Sequence, residues 1–301
     1  MKRFLLKLLA FTLIPIGMYA YFIFLLPVHE EVYIQAYKPK CELLANTPSP
    51  RLILVGGSNL SFGVDSKRMA DSLHLPVINV ALHAGIGLKF IIDDLTSRIR
   101  KGDIIVVAPE YNHFDGNAYG ESLTLPVLLK AANWENLHLL NLQQWRTVIT
   151  GIPELRHYAE TPKIGHKSIY FNELGDEVNH LTQPDTEIPN VSYPQPPIDE
   201  EFCQYFVDKL CDFEDNKGCI VILTPPACRE SFYNGYKGNT DKISDKLSSL
   251  GRPFNVAPYE HVQHDSCAFD TDYHMNKYGV DIFTGKLIAE LKPLFTNETV
   301  Q

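Results

Sequence analysis

The chain lacks an excess of positive charge. Its 301 residues include 27 Lys and Arg against 36 Asp and Glu, which gives a formal net charge of -9. Nucleic-acid-binding domains present a basic face, so this balance argues against a nucleic-acid partner and favours neutral or cationic ligands. Nucleotide-binding motifs are also missing, because VGGSNLSFG at 55–63 matches neither G-x-G-x-x-G nor a P-loop with its lysine.

Internal repeats and a zinc-type cysteine spacing are likewise absent from the sequence. A chain of 301 residues with 45% hydrophobic content suits one large domain with a full core. None of the six cysteines forms a C-x-x-C pair. The segment HVQHD, with His261, His264 and Asp265, could form a metal-hydrolase site with His274, but its loose spacing is more typical of a surface loop. We therefore expect no bound metal and no cofactor.

Charge is missing from one long stretch near the N-terminus. The 19 residues from Leu8 to Leu26 are uncharged, which is just long enough to cross a bilayer. Lys2, Arg3 and Lys7 precede them, so the positive-inside rule predicts a cytoplasmic N-terminus and an extracytoplasmic body. A cleaved signal peptide and a buried core helix are the alternatives. The length of the run and the absence of a clear A-x-A site favour a single uncleaved anchor in the cell membrane.

Export changes the interpretation of the cysteines, because disulfides form outside the cytoplasm. An even number permits up to three bridges, although their connectivity does not follow from sequence. Cys228 and Cys267 each follow a predicted strand at the same sheet edge, so they are the first candidate pair. Buried free thiols are the alternative.

Beyond residue 50 the chain alternates between short apolar runs and amphipathic segments. Predicted strands cover 51–56, 76–82, 103–109, 219–226 and 253–257, and predicted helices cover 66–73, 88–99, 123–132, 137–149, 198–213 and 276–294. This alternation predicts an α/β fold with a doubly wound parallel sheet of five strands. Residues 1–28 then form the cytoplasmic tip and anchor, 29–50 a linker, and 51–296 one domain with an insertion at about 115–197, between strands 3 and 4.

Polar residues follow the ends of the predicted strands. They are Ser58 and Asn59 after strand 1, His83 and Gly85 after strand 2, Glu110 and Asn112 after strand 3, and Asp270, Asp272 and His274 after strand 5. Open α/β sheets bind their ligands at this edge. A serine, a histidine and a carboxylate brought together there are the groups that acyl transfer requires. The structural alternative makes Ser58 a turn residue and the aspartates helix caps.

The order of these segments resembles the SGNH (GDSL-like) hydrolase superfamily over roughly residues 51–113 and 219–293. GGSN resembles its first block, with Ser58 as nucleophile. NVALHAGIG resembles the second, with the Gly85 N–H in the oxyanion hole, and FDTDYHMNKYG the last, with His274 as base. The resemblance implies a flavodoxin-like α/β/α fold. The YHMN form with a membrane anchor is similar to exported proteins of cell-surface polymer acylation, such as those of teichoic-acid D-alanylation and alginate acetylation.

One departure from the superfamily pattern concerns the partner of the histidine. The superfamily usually places an aspartate three residues before the histidine, where this chain has Thr271. Asp270 and Asp272 flank that position, and either could orient His274. Asp270 is the preferred candidate.

A second departure concerns the oxyanion hole. The third block of the superfamily usually supplies an asparagine there, and the nearest match by position is Glu110. An ionised carboxylate only accepts hydrogen bonds, so Glu110 would oppose a developing oxyanion unless Asn112 takes its place. Without Asn112 the oxyanion hole would rest on the backbone N–H groups of Ser58 and Gly85, and losing one donor costs about 10²–10³ in rate. Asn59 and His83 complete the candidate oxyanion and substrate-binding residues.

The resemblance implies a serine esterase or O-acyltransferase that acts on an extracytoplasmic glycan or cell-envelope polymer through an acyl-serine intermediate. The implied partners are the membrane, a carbohydrate or polymer substrate, and a membrane acyltransferase. The alternative is a catalytically inactive, membrane-tethered binding or accessory protein, which the presence of Glu110 favours.

Overall fold

The central element of the fold is a parallel sheet in the order β2-β1-β3-β4. The computed structural model describes residues 1–162, 165–189 and 191–296. The strands are β1 (Leu52–Gly56), β2 (Val77–Asn79), β3 (Ile104–Ala108) and β4 (Ile220–Leu223). Every strand residue except Ile220 is buried. These are the short apolar runs of the sequence, as expected of a parallel sheet that is covered on both faces.

Helices precede, connect and follow the strands, and some begin at a capping side chain. They are α1 (Lys2–Ala20), α2 (Tyr37–Asn46), α3 (Ser58–Ser61), α4 (Ser66–Leu73), α5 (Leu88–Thr96), α6 (Leu125–Ala131), α7 (Leu142–Gly151), α8 (Glu200–Asp215), α9 (Glu230–Ser249) and α10 (Lys277–Thr296). Asp65 caps α4 by accepting from the Arg68 N–H, and Asp199 caps α8 by accepting from the Phe202 N–H, both at 2.9 Å. Such caps satisfy backbone donors that a helix leaves free at its first turn.

Alternate strand residues pack against helices on opposite faces of the sheet. Ile53, Val55 and their neighbours form one core with α5, α8 and α9. Leu52, Leu54 and their neighbours form the other core with α4 and α10. The result is an α/β/α arrangement that leaves the carboxyl ends of the strands open.

The predicted fifth strand is wrong. The main sheet has four strands in the described residues, and the segment 253–257 makes one backbone hydrogen bond to it, from the Asn255 N–H to the Leu223 carbonyl at 2.7 Å. Pro253 and Pro258 bound this segment and cannot donate to a ladder. A separate two-stranded sheet pairs β5 (Cys228–Arg229) with β6 (Val262–Gln263).

The N-terminal helix α1 continues as a π-helix from Tyr21 to Leu25. The 24-residue helix Lys2–Leu25 contains an 18-residue stretch with a mean hydropathy of 2.1, and none of its residues is buried, so it is long and apolar enough to cross a membrane. A signal sequence has the same properties. Its C-terminal end packs against the insertion, where the Lys130 ammonium donates to the Phe22 carbonyl at 3.0 Å and also to the Ile23 carbonyl.

The cysteines do not form the predicted pair. Cys228 and Cys267 are free thiols, as are the other four cysteines, all of which lie in the described residues. Cys228 is buried between the sheet and α9, where burial raises its thiol pKa. The alternative of free thiols therefore describes the structure.

A buried ion pair joins the linker to the sheet. Arg51, which precedes β1, and Asp103, which precedes β3, are both fully buried and contact each other at 3.0 Å. The Arg51 guanidinium also donates to the carbonyls of Leu44 and Thr47 at the end of α2. Asp103 accepts from the Arg100 N–H at 2.8 Å. These bonds hold α2 against the first and third strands.

Candidate active site

The Gly-Gly-Ser turn after β1 places Ser58 at the N-terminus of α3. A side chain at Gly57 would collide with the Glu110 carboxylate and with Ala84. Gly57 therefore allows the loops after β1, β2 and β3 to approach one another closely at this edge of the sheet.

These loops surround an open cleft of about 370 Å³, which we call the serine cleft. All the predicted site residues line it except Asn59 and Asp270. Groups from four separate loops therefore do lie together at this edge of the sheet, as the sequence predicts. Further side chains that the sequence did not indicate come from the insertion (Asn117, Glu121) and from α9 (Phe232, Tyr236).

His274 and Asp270 form a hydrogen-bonded pair at the cleft. Their Nδ1 and Oδ1 atoms lie 2.7 Å apart, and the His274 ring stacks on Phe62 with 4.0 Å between ring centroids. Burial opposes the charged form of Asp270, but hydrogen bonds from His166 and His274 outweigh it and hold the Asp270 pKa well below its ordinary value. An ionised carboxylate only accepts, so Nδ1 of His274 carries the proton and Nε2 is left as a base. Burial lowers the pKa of His274, although Asp270 opposes this, so the ring is neutral at neutral pH.

Asp272 has a different role in the structure. Its carboxylate accepts from Arg229 Nε at 2.6 Å and from the Tyr193 hydroxyl at 2.9 Å. Asp270 is therefore the aspartate that contacts His274, and Asp272 links β5 to the end of the insertion.

Sequence reasoning missed His166, which lies in the insertion. Its Nε2 is 3.0 Å from the second oxygen of Asp270. His166 also lines a neighbouring cleft of about 510 Å³, the linker cleft, between the linker residues 32–34 and the insertion. His83 lines both clefts. Nothing in the spacing of the sequence connects a residue more than a hundred positions away to Asp270.

Ser58 contacts Glu110 in this structure. The two side chains are 3.3 Å apart, and the Asn59 N–H donates to the same Glu110 oxygen at 3.2 Å. No hydrogen bond joins Ser58 to His274 in the described part of the chain, although both line the serine cleft. Burial raises the pKa of Glu110 to about 7, so its carboxyl group is partly neutral near pH 7 and can then donate a hydrogen bond.

One of the expected oxyanion donors, the Gly85 N–H, is already engaged. The Gly85 N–H donates to Nδ1 of His83 at 2.9 Å and is therefore occupied. Burial lowers the pKa of His83 to about 4, so its ring is neutral, and because Nδ1 accepts, Nε2 carries the proton. Asn112 lines the cleft, and its amide makes no hydrogen bond within the described residues. His83 Nε2–H and the Asn112 amide are thus the donors at hand.

Asn59 does not face the cleft, which corrects its predicted place in the substrate-binding set. Its side chain is fully buried and donates to the Ala108 carbonyl at 3.0 Å. It ties the turn after β1 to the end of β3, and its contribution to the site is the backbone N–H that contacts Glu110.

The alternative metal set in HVQHD does not converge. His261 is buried and bonds to the Pro225 carbonyl and to Glu290, while Asp265 accepts from the Ser231 N–H at 2.8 Å. His166, Asp270 and His274 do offer three ligand atoms within 4.8 Å of one another. In the structure, hydrogen bonds already join these atoms.

The chain matches no protein-family model, no curated protein and no solved structure.

Proposed function

We propose that the protein is a serine esterase or O-acyltransferase that works through an acyl-serine intermediate. The observation that carries this proposal is the Asp270–His274 pair, whose free Nε2 belongs to a neutral ring lining the same cleft as Ser58. The strand order β2-β1-β3-β4 and the loop that supplies each residue support an SGNH-type, flavodoxin-like arrangement. Asp270 stands four residues before His274 instead of the usual three.

In the proposed first step the Ser58 hydroxyl leaves Glu110 and turns to His274. Its oxygen attacks the ester carbonyl carbon while Nε2 of His274 takes the proton, and Asp270 stabilises the imidazolium. The oxyanion accepts from His83 Nε2–H and the Asn112 amide. His274 then gives its proton to the departing alcohol, leaving acyl-Ser58. Water or a sugar hydroxyl releases the acyl group by the reverse proton transfers.

The proposed substrate is an extracytoplasmic glycan or cell-envelope polymer. The acidic body suits neutral or cationic acceptors, and α1 is long enough to hold the chain at a membrane with its N-terminus cytoplasmic. The proposed partner is a membrane acyltransferase, which would deliver the acyl group to this protein.

A second candidate function is a binding or accessory protein without catalysis. Two contacts favour it: Ser58 pairs with Glu110, and the Gly85 N–H is occupied by His83. In that case the serine cleft binds a polymer but breaks no bond in it.

An activity-based probe separates the two functions. The full-length protein in detergent is expected to react with a fluorophosphonate at Ser58, and Ser58→Ala and His274→Ala are expected to lower the labelling rate at least ~10³-fold. Ser97→Ala, which changes an exposed serine, should label like the wild type. A folded wild type that fails to react with both the probe and 4-nitrophenyl acetate would contradict the enzyme and favour the binding protein.

The pH dependence of labelling tests whether Glu110 helps the oxyanion. The neutral carboxyl group donates, whereas the ionised one repels the oxyanion, so the labelling rate should fall above pH ~7, where Glu110 loses its proton. Glu110→Gln keeps a donor at every pH. At pH 9 this variant is expected to label about 10- to 100-fold faster than the wild type.

Glu121→Gln is the matched control for this prediction, because burial also raises the pKa of Glu121 in the same cleft. It should retain the alkaline fall. An unchanged alkaline fall in Glu110→Gln would show that Glu110 does not act on the reaction.

A further inference from the structure

One carboxylate serves two histidines in this site. Asp270 Oδ1 contacts His274 Nδ1 at 2.7 Å, and Asp270 Oδ2 contacts His166 Nε2 at 3.0 Å. The ionised carboxylate cannot donate, so both ring nitrogens must. Each oxygen of Asp270 is thus assigned to a different ring.

The position of His166 is fixed by aromatic packing. Its ring lies edge-on to Phe62 with 4.5 Å between centroids and edge-on to His274 at 5.6 Å. Phe269 and the linker residue Tyr33 also contact the ring, with centroids 6.3 and 6.1 Å away. The Tyr33 hydroxyl in turn donates to the Leu82 carbonyl at 2.7 Å. The linker and the loop before α10 therefore pack His166, a residue of the insertion, against the Asp270–His274 pair.

We propose that His166 is a positioning residue of the catalytic site. By its hydrogen bond it fixes the Asp270 carboxylate, and the carboxylate in turn keeps the His274 ring aligned. This inference rests on the proposed function and adds a fourth member to Ser58, His274 and Asp270. The insertion is then part of the site, although the resemblance to a known superfamily does not extend to it.

The physical reason is the rotational freedom of a carboxylate. With a single partner, the Asp270 carboxylate can rotate and exchange its oxygens, and the His274 ring follows it. A second charge-assisted hydrogen bond, from a ring that packs against other aromatic rings, restricts that freedom. Such bonds are among the stronger polar contacts in proteins, so losing one is expected to lower the rate of Ser58 acylation about 10- to 100-fold.

Two substitutions of His166 separate positioning from general packing. His166→Leu fills the space but donates nothing, and it is expected to lower the fluorophosphonate labelling rate of the full-length protein about 10- to 100-fold. His166→Gln places an amide N–H near the original Nε2 and should restore the rate to within about 3-fold of wild type. His138→Leu, which removes an exposed histidine of the insertion, should have no effect. Thermal unfolding of each variant reports whether it is folded.

A readout independent of catalysis is the NMR titration of the His274 ring. The charged and titratable groups that act on this ring are Asp270, His166, His180 and His83. Without the His166 donor, Asp270 interacts more strongly with His274, so the His274 pKa should rise in His166→Leu and rise less in His166→Gln. If the wild type is inert to the probe but this shift is present, the proposed function fails while the positioning contact stands.

Three outcomes overturn the inference. The first is a His166→Leu variant that is labelled at the wild-type rate and whose His274 ring titrates as in the wild type. The second is an equal loss in folded His166→Leu and His166→Gln, since an amide donor would then not replace the ring. The third is loss of wild-type labelling on adding EDTA with recovery on adding Zn²⁺, which would make His166, Asp270 and His274 a metal site.

Discussion

Asp270→Asn is expected to lower the rate of Ser58 labelling about 10⁴-fold. An asparagine can accept through its oxygen but must present its N–H₂ group to one of the two histidines that now donate to Asp270. If that group faces His274, Nδ1 becomes the acceptor and Nε2 carries the proton, which removes the base. The fluorophosphonate labelling rate of the full-length protein measures this loss.

Asp272→Asn is the matched control, because Asp272 is two residues away and is bonded to Arg229 and Tyr193 instead of to His274. We expect its labelling rate to stay within about 10-fold of wild type, with a modest loss of stability from the weakened pair with Arg229. If Asp272→Asn were the more damaging substitution, the assignment of Asp270 as the partner of His274 would be refuted.

The second large effect is expected on stability. Asp103→Asn should lower the free energy of unfolding by about 3–5 kcal/mol, because it leaves the fully buried Arg51 guanidinium without its counter-charge. Denaturant unfolding followed by circular dichroism measures the change. Asp71→Asn breaks an exposed pair with Lys67 and should change the same quantity by less than about 0.5 kcal/mol.

A double substitution, Arg51→Met with Asp103→Leu, tests the reason for the loss. Removing both charges together should recover most of the stability, because no buried charge is left without a partner. If the double variant is as unstable as Asp103→Asn, then the backbone contacts of Arg51 with Leu44 and Thr47 are the more important part.

Apolar runs predicted much of the fold, and the errors have local causes. The four strands and the helices beside them follow from their periodicity. The segment 253–257 was mistaken for a strand because a short apolar stretch does not show whether the backbone can pair. Helix α9 was not predicted, because Gly235, Gly238 and its many polar residues hide its apolar stripe.

The sequence predicted the site less completely than the fold. Ser58 and His274 could be found because each follows from a local motif. The sequence favours Asp270 as the partner of His274 but does not exclude Asp272, since both lie beside the expected position. The bonds of Asp272 to Arg229 and Tyr193 separate the two roles in the structure. His166 could not be predicted from the sequence, because the contact between the insertion and Asp270 depends on tertiary packing.

The packing of the apolar helix α1 against the insertion limits how far the serine cleft can move away from that helix. Residues 26–32 span at most about 25 Å even when fully extended. They are not loose, because the His29 N–H donates to the Tyr158 carbonyl at 2.7 Å and Lys130 holds the last carbonyls of the helix. With α1 in a bilayer, the serine cleft would stay at a nearly constant height above the lipid surface. Under the proposed function, only polymer segments close to that surface would meet Ser58, and outer layers of an envelope would remain unmodified.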